Sequence, residues 1–244
     1  TLTVLAMYFF GKDIGGKEVG LFSAFFLALN GSYIGRTSLG FFDDETVGIF
    51  SIIMYSLFFL RSIERERSTK ASVIYSVLAG LTLGYLFTAW GASRYPVGIT
   101  LVFVVVLLLL RRYSTRLLTT YSITYGIGLL VAINVSHLGG VRFLLEITNV
   151  AVLGVLVLLC MFEISQHIRT TRMKYLFVLS FLTLGTIAFL TLSWLGYVQP
   201  LQQRYSSILN PFERFTSPIV VSVQEHRPAG WGTLYYDLGV GILF

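Results

Sequence analysis

Apolar residues fall in long runs along this chain, at 1–10, 19–34, 46–60, 71–89, 96–110, 117–135, 143–162, 175–197 and 231–244, with polar residues confined to the short intervals between them. Several runs approach the length of about 20 residues that lets a helix cross a bilayer. Lipid offers no partner to a backbone N–H or C=O, so each run must satisfy its own hydrogen bonds as a helix. The pattern predicts about nine helical segments, the shorter ones extending into their loops or packing inside the bundle. The fold class expected is all-α, a polytopic transmembrane helical bundle.

Composition agrees. Of 244 residues, 55% are hydrophobic and only 12% charged, with mean hydropathy +0.76, which does not suit a water-facing surface. Disordered, collagenous, coiled-coil and disulfide-stapled classes are excluded, and the single Cys160, inside an apolar run, has no partner in the chain for a disulfide. The net charge of +6 sits in small basic groups beside apolar runs, not on one face or in a tail, so nucleic acid is not an expected partner.

Topology accounts for those basic groups. Assigning alternate loops to alternate sides puts Lys12, Lys17, Arg61, Arg65, Arg67, Lys70, Arg111, Arg112, Arg116, Arg169, Arg172 and Lys174, 12 of the 18 basic residues, on one side. The other side keeps six: Arg36, Arg94, Arg142, Arg204, Arg214 and Arg227. The positive-inside rule turns the first set to the cytoplasm. The outer side holds Asp43, Asp44, Glu45, Glu146, Glu213 and Glu225, and all five prolines lie there or at its boundary. Candidate chemistry therefore belongs to the outer face. Thr1 opens directly into an apolar run and the last run stops at Phe244 without an anchor, the pattern expected of an interior piece of a longer protein. No internal repeat is visible.

Two outer loops, 32–45 and 198–230, carry the candidates. In the first, Arg36 precedes the run Asp43-Asp44-Glu45, immediately before an apolar helix. Acidic residues there favour the helix macrodipole and Asp is a good N-cap. In an extended segment, however, Asp43 and Glu45 point the same way, an arrangement suited to a hard divalent cation. The second loop contains Gln203-Arg204-Tyr205 and ends in Ser222-Val223-Gln224-Glu225-His226-Arg227, where Glu225 is either paired with Arg227 or a further oxygen ligand. Trp90 reads as an interfacial aromatic or a lipid-substrate contact. His137 and His167 lie far apart, no histidine spacing suits zinc, and Asn134-Val135-Ser136 is a glycosylation acceptor pattern.

Together these stretches resemble one family. The segment 31–50, GSYIGRTSLGFFDDETVGIF, and the segment 218–237, PIVVSVQEHRPAGWGTLYYD, resemble the second acidic motif and the Ser-Val-Ser-Glu motif of the oligosaccharyltransferase catalytic subunit. Ala89-Trp90-Gly91, Arg111-Arg112-Tyr113-Ser114-Thr115-Arg116 and Gln203-Arg204-Tyr205 fall between them in the family's order. The resemblance covers nearly the whole chain and is closer to the eukaryotic and archaeal branch, with Asp-x-Glu for Asp-x-Asp. It implies a GT-C type membrane domain in which Asp43, Glu45 and Glu225 hold Mg²⁺ or Mn²⁺. Arg36 supports them and Glu225 meets the acceptor amide. Arg204, Trp90 and His226 are further candidate substrate contacts, with Arg204 alternatively lying in the headgroup layer. Gln224 departs from the family's usual Ser. The family's first acidic motif and its Trp-Trp-Asp-Tyr-Gly motif are not in this sequence.

The implied activity is en bloc transfer of an oligosaccharide from a polyprenyl or dolichyl pyrophosphate to asparagine in Asn-X-Ser/Thr, with inversion, in an archaeal cell membrane or the endoplasmic reticulum membrane. Its partners are the lipid-linked donor, the acceptor polypeptide and membrane lipids, with room for accessory subunits. Two other readings stand beside it. Another polyprenyl-phosphate sugar transferase also places acidic residues in outer loops, and a transporter or channel also places charge at helix ends.

Orientation is directly testable. In a Cys160→Ala background, Ser68→Cys is expected to resist an impermeant thiol reagent added outside; its labelling from outside would reverse the assignment.

Overall fold

The computed structural model describes residues 1–38, 40, 44–168, 170–196, 230–232 and 235. Eight α-helices account for most of them: α1 (Leu2–Leu29), α2 (Gly31–Thr37), α3 (Asp44–Ile63), α4 (Thr69–Ala89), α5 (Arg94–Leu109), α6 (Thr115–Ile133), α7 (Ile147–His167) and α8 (Thr171–Trp194). Short 3-10 turns precede α5 and α7, and no strand occurs among the described residues. Five helices, α3 to α7, are long and apolar enough to cross a membrane, α5 with its leading turn from Gly91. The last expected segment, 231–244, lies largely outside the described residues.

The expected boundaries moved where local chemistry overrides hydropathy. The first two runs are two helical stretches, as expected, labelled together as α1 and divided at Gly16, whose φ of 90° and ψ of −177° are not helical. The reversal doubles the chain back, because a Cβ on Gly20 would lie 2.6 Å from the Tyr8 carbonyl oxygen and one on Gly11 3.0 Å from the Gly20 Cα. Only a residue without Cβ takes up this φ at no cost, and only glycines allow so close a crossing. The second run then stops at Asn30, whose extended backbone ends α1 and whose side chain accepts from the Tyr33 N–H at 2.8 Å, capping α2. The seventh run starts later than expected, at Ile147, because Gly139 and Gly140 take positive φ and Gly140–Leu145 winds as a 3-10 turn.

The spanning helices alternate in direction, so α4 and α6 run parallel. Their contact is built from small residues spaced by four, Ser72, Ser76, Gly80 and Gly84 on α4 against Thr120, Thr124, Gly128 and Ala132 on α6, all buried. A Cβ on Gly80 would lie 2.9 Å from the Thr124 carbonyl oxygen, and one on Gly84 would lie 2.7 Å from the Val131 Cβ. Hydroxyls fill the rest of the seam. Thr124 donates to the Ser76 carbonyl at 3.2 Å, Ser72 to the Ser62 carbonyl at 2.5 Å, and Tyr55 shares bonds with Thr100 and Tyr125 at 2.9 and 3.0 Å. Each such bond satisfies a group that lipid cannot. Around it Leu83, Leu86, Val97, Val104, Leu117 and Leu159 complete a core shared by α3 to α7.

Ion pairs mark two ends. At one end Arg61 meets Asp13 at 2.5 Å, Arg116 donates to the Glu64 carbonyl, and Tyr113 donates to Glu163 at 2.5 Å. At the other end Arg94 meets Glu146 at 3.0 Å and Arg36 meets Glu45. Glu146 and Glu163, the two acidic residues nearest a span interior, are thus helix-end groups with partners.

A glycine series tests the seam. Gly80→Val is expected to destabilise the folded bundle by about 1–3 kcal/mol through overpacking. Gly154→Ala, whose Cβ meets nothing within 4 Å, is expected to be neutral or slightly stabilising. Thermal unfolding of both variants in one detergent checks this.

Candidate functional site

The acidic end is assembled by α2 and the start of α3. Asn30 fixes the start of α2, and Thr37 ties its hydroxyl to the Tyr33 carbonyl at 2.7 Å near the helix end. This sets Arg36 on the last turn of α2, facing the first turn of α3. There the Arg36 Nη1 donates to the Glu45 Oε1 at 2.9 Å, while the Thr46 hydroxyl donates to the Arg36 carbonyl at 3.4 Å. These bonds hold α2 against the head of α3.

Glu45 is half-buried, and its two oxygens differ. Oε1 is taken by the guanidinium, whereas Oε2 is buried and accepts no hydrogen bond. A buried carboxylate oxygen without a donor is costly unless a cation completes it. Arg36 offsets part of the charge without filling the second oxygen. The expected extended arrangement fails at Glu45, which with Asp44 belongs to the first turn of α3, where the macrodipole also favours a carboxylate. The helix N-terminus and a ligand role are not exclusive: α3 fixes the carboxylate and leaves Oε2 unclaimed.

Trp90 joins this end from α4. It has extended backbone, φ −148° and ψ 127°, between α4 and the turn leading to α5. Its half-buried ring lies on Gly48, one turn past Glu45, so closely that a Cβ there would be 2.2 Å from a ring carbon. Gly48 is needed because no other residue lets the indole reach the α3 backbone. Trp90 thus braces the helix that presents Glu45, a packing role the hydropathy pattern does not reveal. The nearby Arg94–Glu146 pair joins α5 to α7, and Asn149 donates from Nδ2 to the Phe143 carbonyl at 2.7 Å behind it.

Of the expected site residues the structure brings together Arg36 and Glu45 and stands Trp90 on the same helix. Asp43, Arg204, Glu225 and His226 lie outside the described residues, as does the loop 198–230 up to Gly230. Among the described residues no three His, Cys, Asp or Glu side chains form a metal-sized group. Glu45 is a hard oxygen donor with a buried, unpartnered atom, which fits a divalent cation of the Mg²⁺ or Mn²⁺ kind. His137 and His167 sit at opposite ends of the bundle, on the turn after α6 and at the end of α7.

Comparison with known proteins agrees with this architecture. A family model described as oligosaccharyl transferase STT3, N-terminal, matches residues 1–244. The STT3B subunit of the dolichyl-diphosphooligosaccharide–protein glycosyltransferase of Oryza sativa subsp. japonica is 29% identical, over 98% of this chain and 33% of its own length. The STT3 subunit of Saccharomyces cerevisiae is 26% identical, over 97% of this chain and 33% of its own. The chain thus spans about a third of the length of these relatives. The crystal structure of the Archaeoglobus fulgidus oligosaccharyltransferase in the apo form has the same fold, with a TM-score of 0.50 at 18% identity over 94% of this chain and 27% of that one. On the match along its entire length, this chain belongs to the STT3 oligosaccharyl transferase family and forms part of its N-terminal membrane region.

Proposed function

We propose that the protein of which this chain is part transfers an oligosaccharide en bloc from a dolichyl or related polyprenyl pyrophosphate to asparagine in Asn-X-Ser/Thr, inverting the anomeric carbon. The observation that carries the reading is the family match over residues 1–244, joined at the acidic end by Glu45, whose Oε2 is buried without a partner. By the positive-inside rule this end faces the lumen or the cell exterior, where a translocated polypeptide is presented.

Each residue then has a role set by the chemistry. An amide nitrogen is a poor nucleophile because its lone pair is delocalised into the carbonyl. Glu225 accepts hydrogen bonds from the acceptor amide protons and weakens that conjugation, and the amide nitrogen attacks from the face opposite the leaving group. Asp43, Glu45 and Glu225 hold a divalent cation of the Mg²⁺ or Mn²⁺ kind. When bound, such a cation supplies charge stabilisation for the departing lipid pyrophosphate. Arg36, bonded to Glu45 at 2.9 Å, holds that carboxylate in place. Arg204 and His226 contact substrate, and Trp90 acts on the site through α3. No covalent glycosyl-enzyme is required. The family match favours this reading over a transporter or channel, and the Ser-Val-x-Glu stretch over other polyprenyl-phosphate sugar transferases.

Substitutions in the full-length enzyme test it through transfer to a sequon peptide at graded Mn²⁺ concentrations. Asp43→Asn, Glu45→Gln and Glu225→Gln are each expected to lower the rate on the order of 10²-fold or more. Asp44→Asn is expected to be mild. Equal loss at Asp44 and Glu45, or metal-independent wild-type activity, would reduce the acidic run to a charged helix start.

A further inference from the structure

The basic end of the bundle contains a cavity of about 390 Å³ between the ends of α3 and α5, backed by the start of α6. Helices α3 and α5 are tied deeper in the bundle by the Tyr55–Thr100 bond, at 2.9 Å. The cavity lining has two parts. Arg65, Arg112 and Ser114 contribute polar groups, and Phe103, Leu107 and Leu117 contribute apolar walls.

The cations of this cavity are uncommitted. Arg61 is bonded to Asp13, Arg67 to Glu64, and Arg116 to the Glu64 carbonyl, while the Glu163 carboxylate accepts from Tyr113 and Thr115. Arg65 and Arg112 make no ion pair among the described residues, and neither does Glu66, which is exposed and does not line the cavity. The backbone reinforces the arrangement. α5 ends with the Arg111 N–H on the Leu108 carbonyl and the Arg112 N–H on the Leu107 carbonyl, with Arg111 at φ 57°, the left-handed position usually given to glycine. That turn sets Arg112 at the cavity. Ser114 caps α6 by accepting from the Leu117 N–H at 3.2 Å, so the positive end of the α6 dipole lies there too.

We propose that this cavity is a binding site for an anionic glycerophospholipid, its phosphate held between Arg65 and Arg112 and its chains lying along the Phe103 and Leu107 walls. The two-part lining is what selects an amphiphile: two unpaired guanidiniums take a phosphate, and the apolar walls take hydrocarbon. The outward face of α5 continues the path, since Val102, Val106 and Leu109 are exposed where the helix meets lipid. The site lies at the end of the bundle opposite Glu45, so it is separate from the acidic site.

The test uses the purified full-length enzyme, delipidated in a zwitterionic detergent and titrated with phosphatidylglycerol, phosphatidylcholine or inorganic phosphate, with binding read by native mass spectrometry and Tm. Wild type is expected to retain phosphatidylglycerol and to gain Tm with it, and to do neither with phosphatidylcholine. Arg65→Gln with Arg112→Gln should weaken that binding on the order of 30-fold, for two lost cationic contacts. Lys70→Gln, basic but not lining the cavity, should leave it unchanged. Leu107→Trp, which keeps both cations and fills the cavity, should also weaken it and guards against misfolding of the arginine pair. Equal retention of phosphatidylcholine, equal loss in Lys70→Gln, or a matching Tm gain from inorganic phosphate alone would overturn the proposal.

Discussion

Helices in a bilayer gain little by hiding apolar surface from lipid, which is itself apolar, so a bundle must be held by close packing and by polar groups that have nowhere else to go. In this chain that constraint is met between α4 and α6. Ser72, Ser76, Gly80 and Gly84 give the backbone of one helix room to approach Thr120, Thr124, Gly128 and Ala132 of the other. The hydroxyls then bond across the gap, as in the Thr124 donation to the Ser76 carbonyl at 3.2 Å. A third helix joins through Tyr55 and Ser62, so α3 is fixed to the same seam.

The acidic end inherits that rigidity. With α3 anchored along its length, Gly48 receives the Trp90 ring at the top of α4, and Glu45 one turn earlier is held in one place. Arg36 then takes one oxygen of Glu45 and leaves the other buried and open. The proposed cation site therefore depends on packing well inside the bundle. Opposite it, the basic end is less tightly closed: α3 and α5 part below the Tyr55–Thr100 bond and leave the arginine-lined cavity.

Much of this was readable in the sequence. Hydropathy placed α3 to α7 within a few residues, because helices that cross lipid must be apolar over their whole length. The breaks were harder. Gly16, Asn30 and the Gly139-Gly140 pair act through backbone dihedrals and capping, which leave almost no trace in hydropathy. The small-residue spacing of α4 and α6 is present in the sequence, but an average over a window erases a period of four. At the candidate site, the family motif singled out Arg36 and Glu45, which the structure pairs. The bracing of Gly48 by Trp90 was not, since it joins residues 42 positions apart on different helices. The cavity at Arg65 and Arg112 was hidden for a related reason: basic residues at this end read first as topology signals, and which of them lack carboxylate partners depends on tertiary structure.

The central claim is that Glu45 divides its carboxylate between Arg36 and a divalent cation. Mn²⁺ binding to the full-length enzyme in nanodiscs, followed by electron paramagnetic resonance, addresses it without reference to turnover. The account predicts one site that Glu45→Gln weakens at least about 10-fold, while Glu146→Gln, at the same end but paired with Arg94, leaves it unchanged. An Mn²⁺ affinity identical in wild type and Glu45→Gln would contradict it.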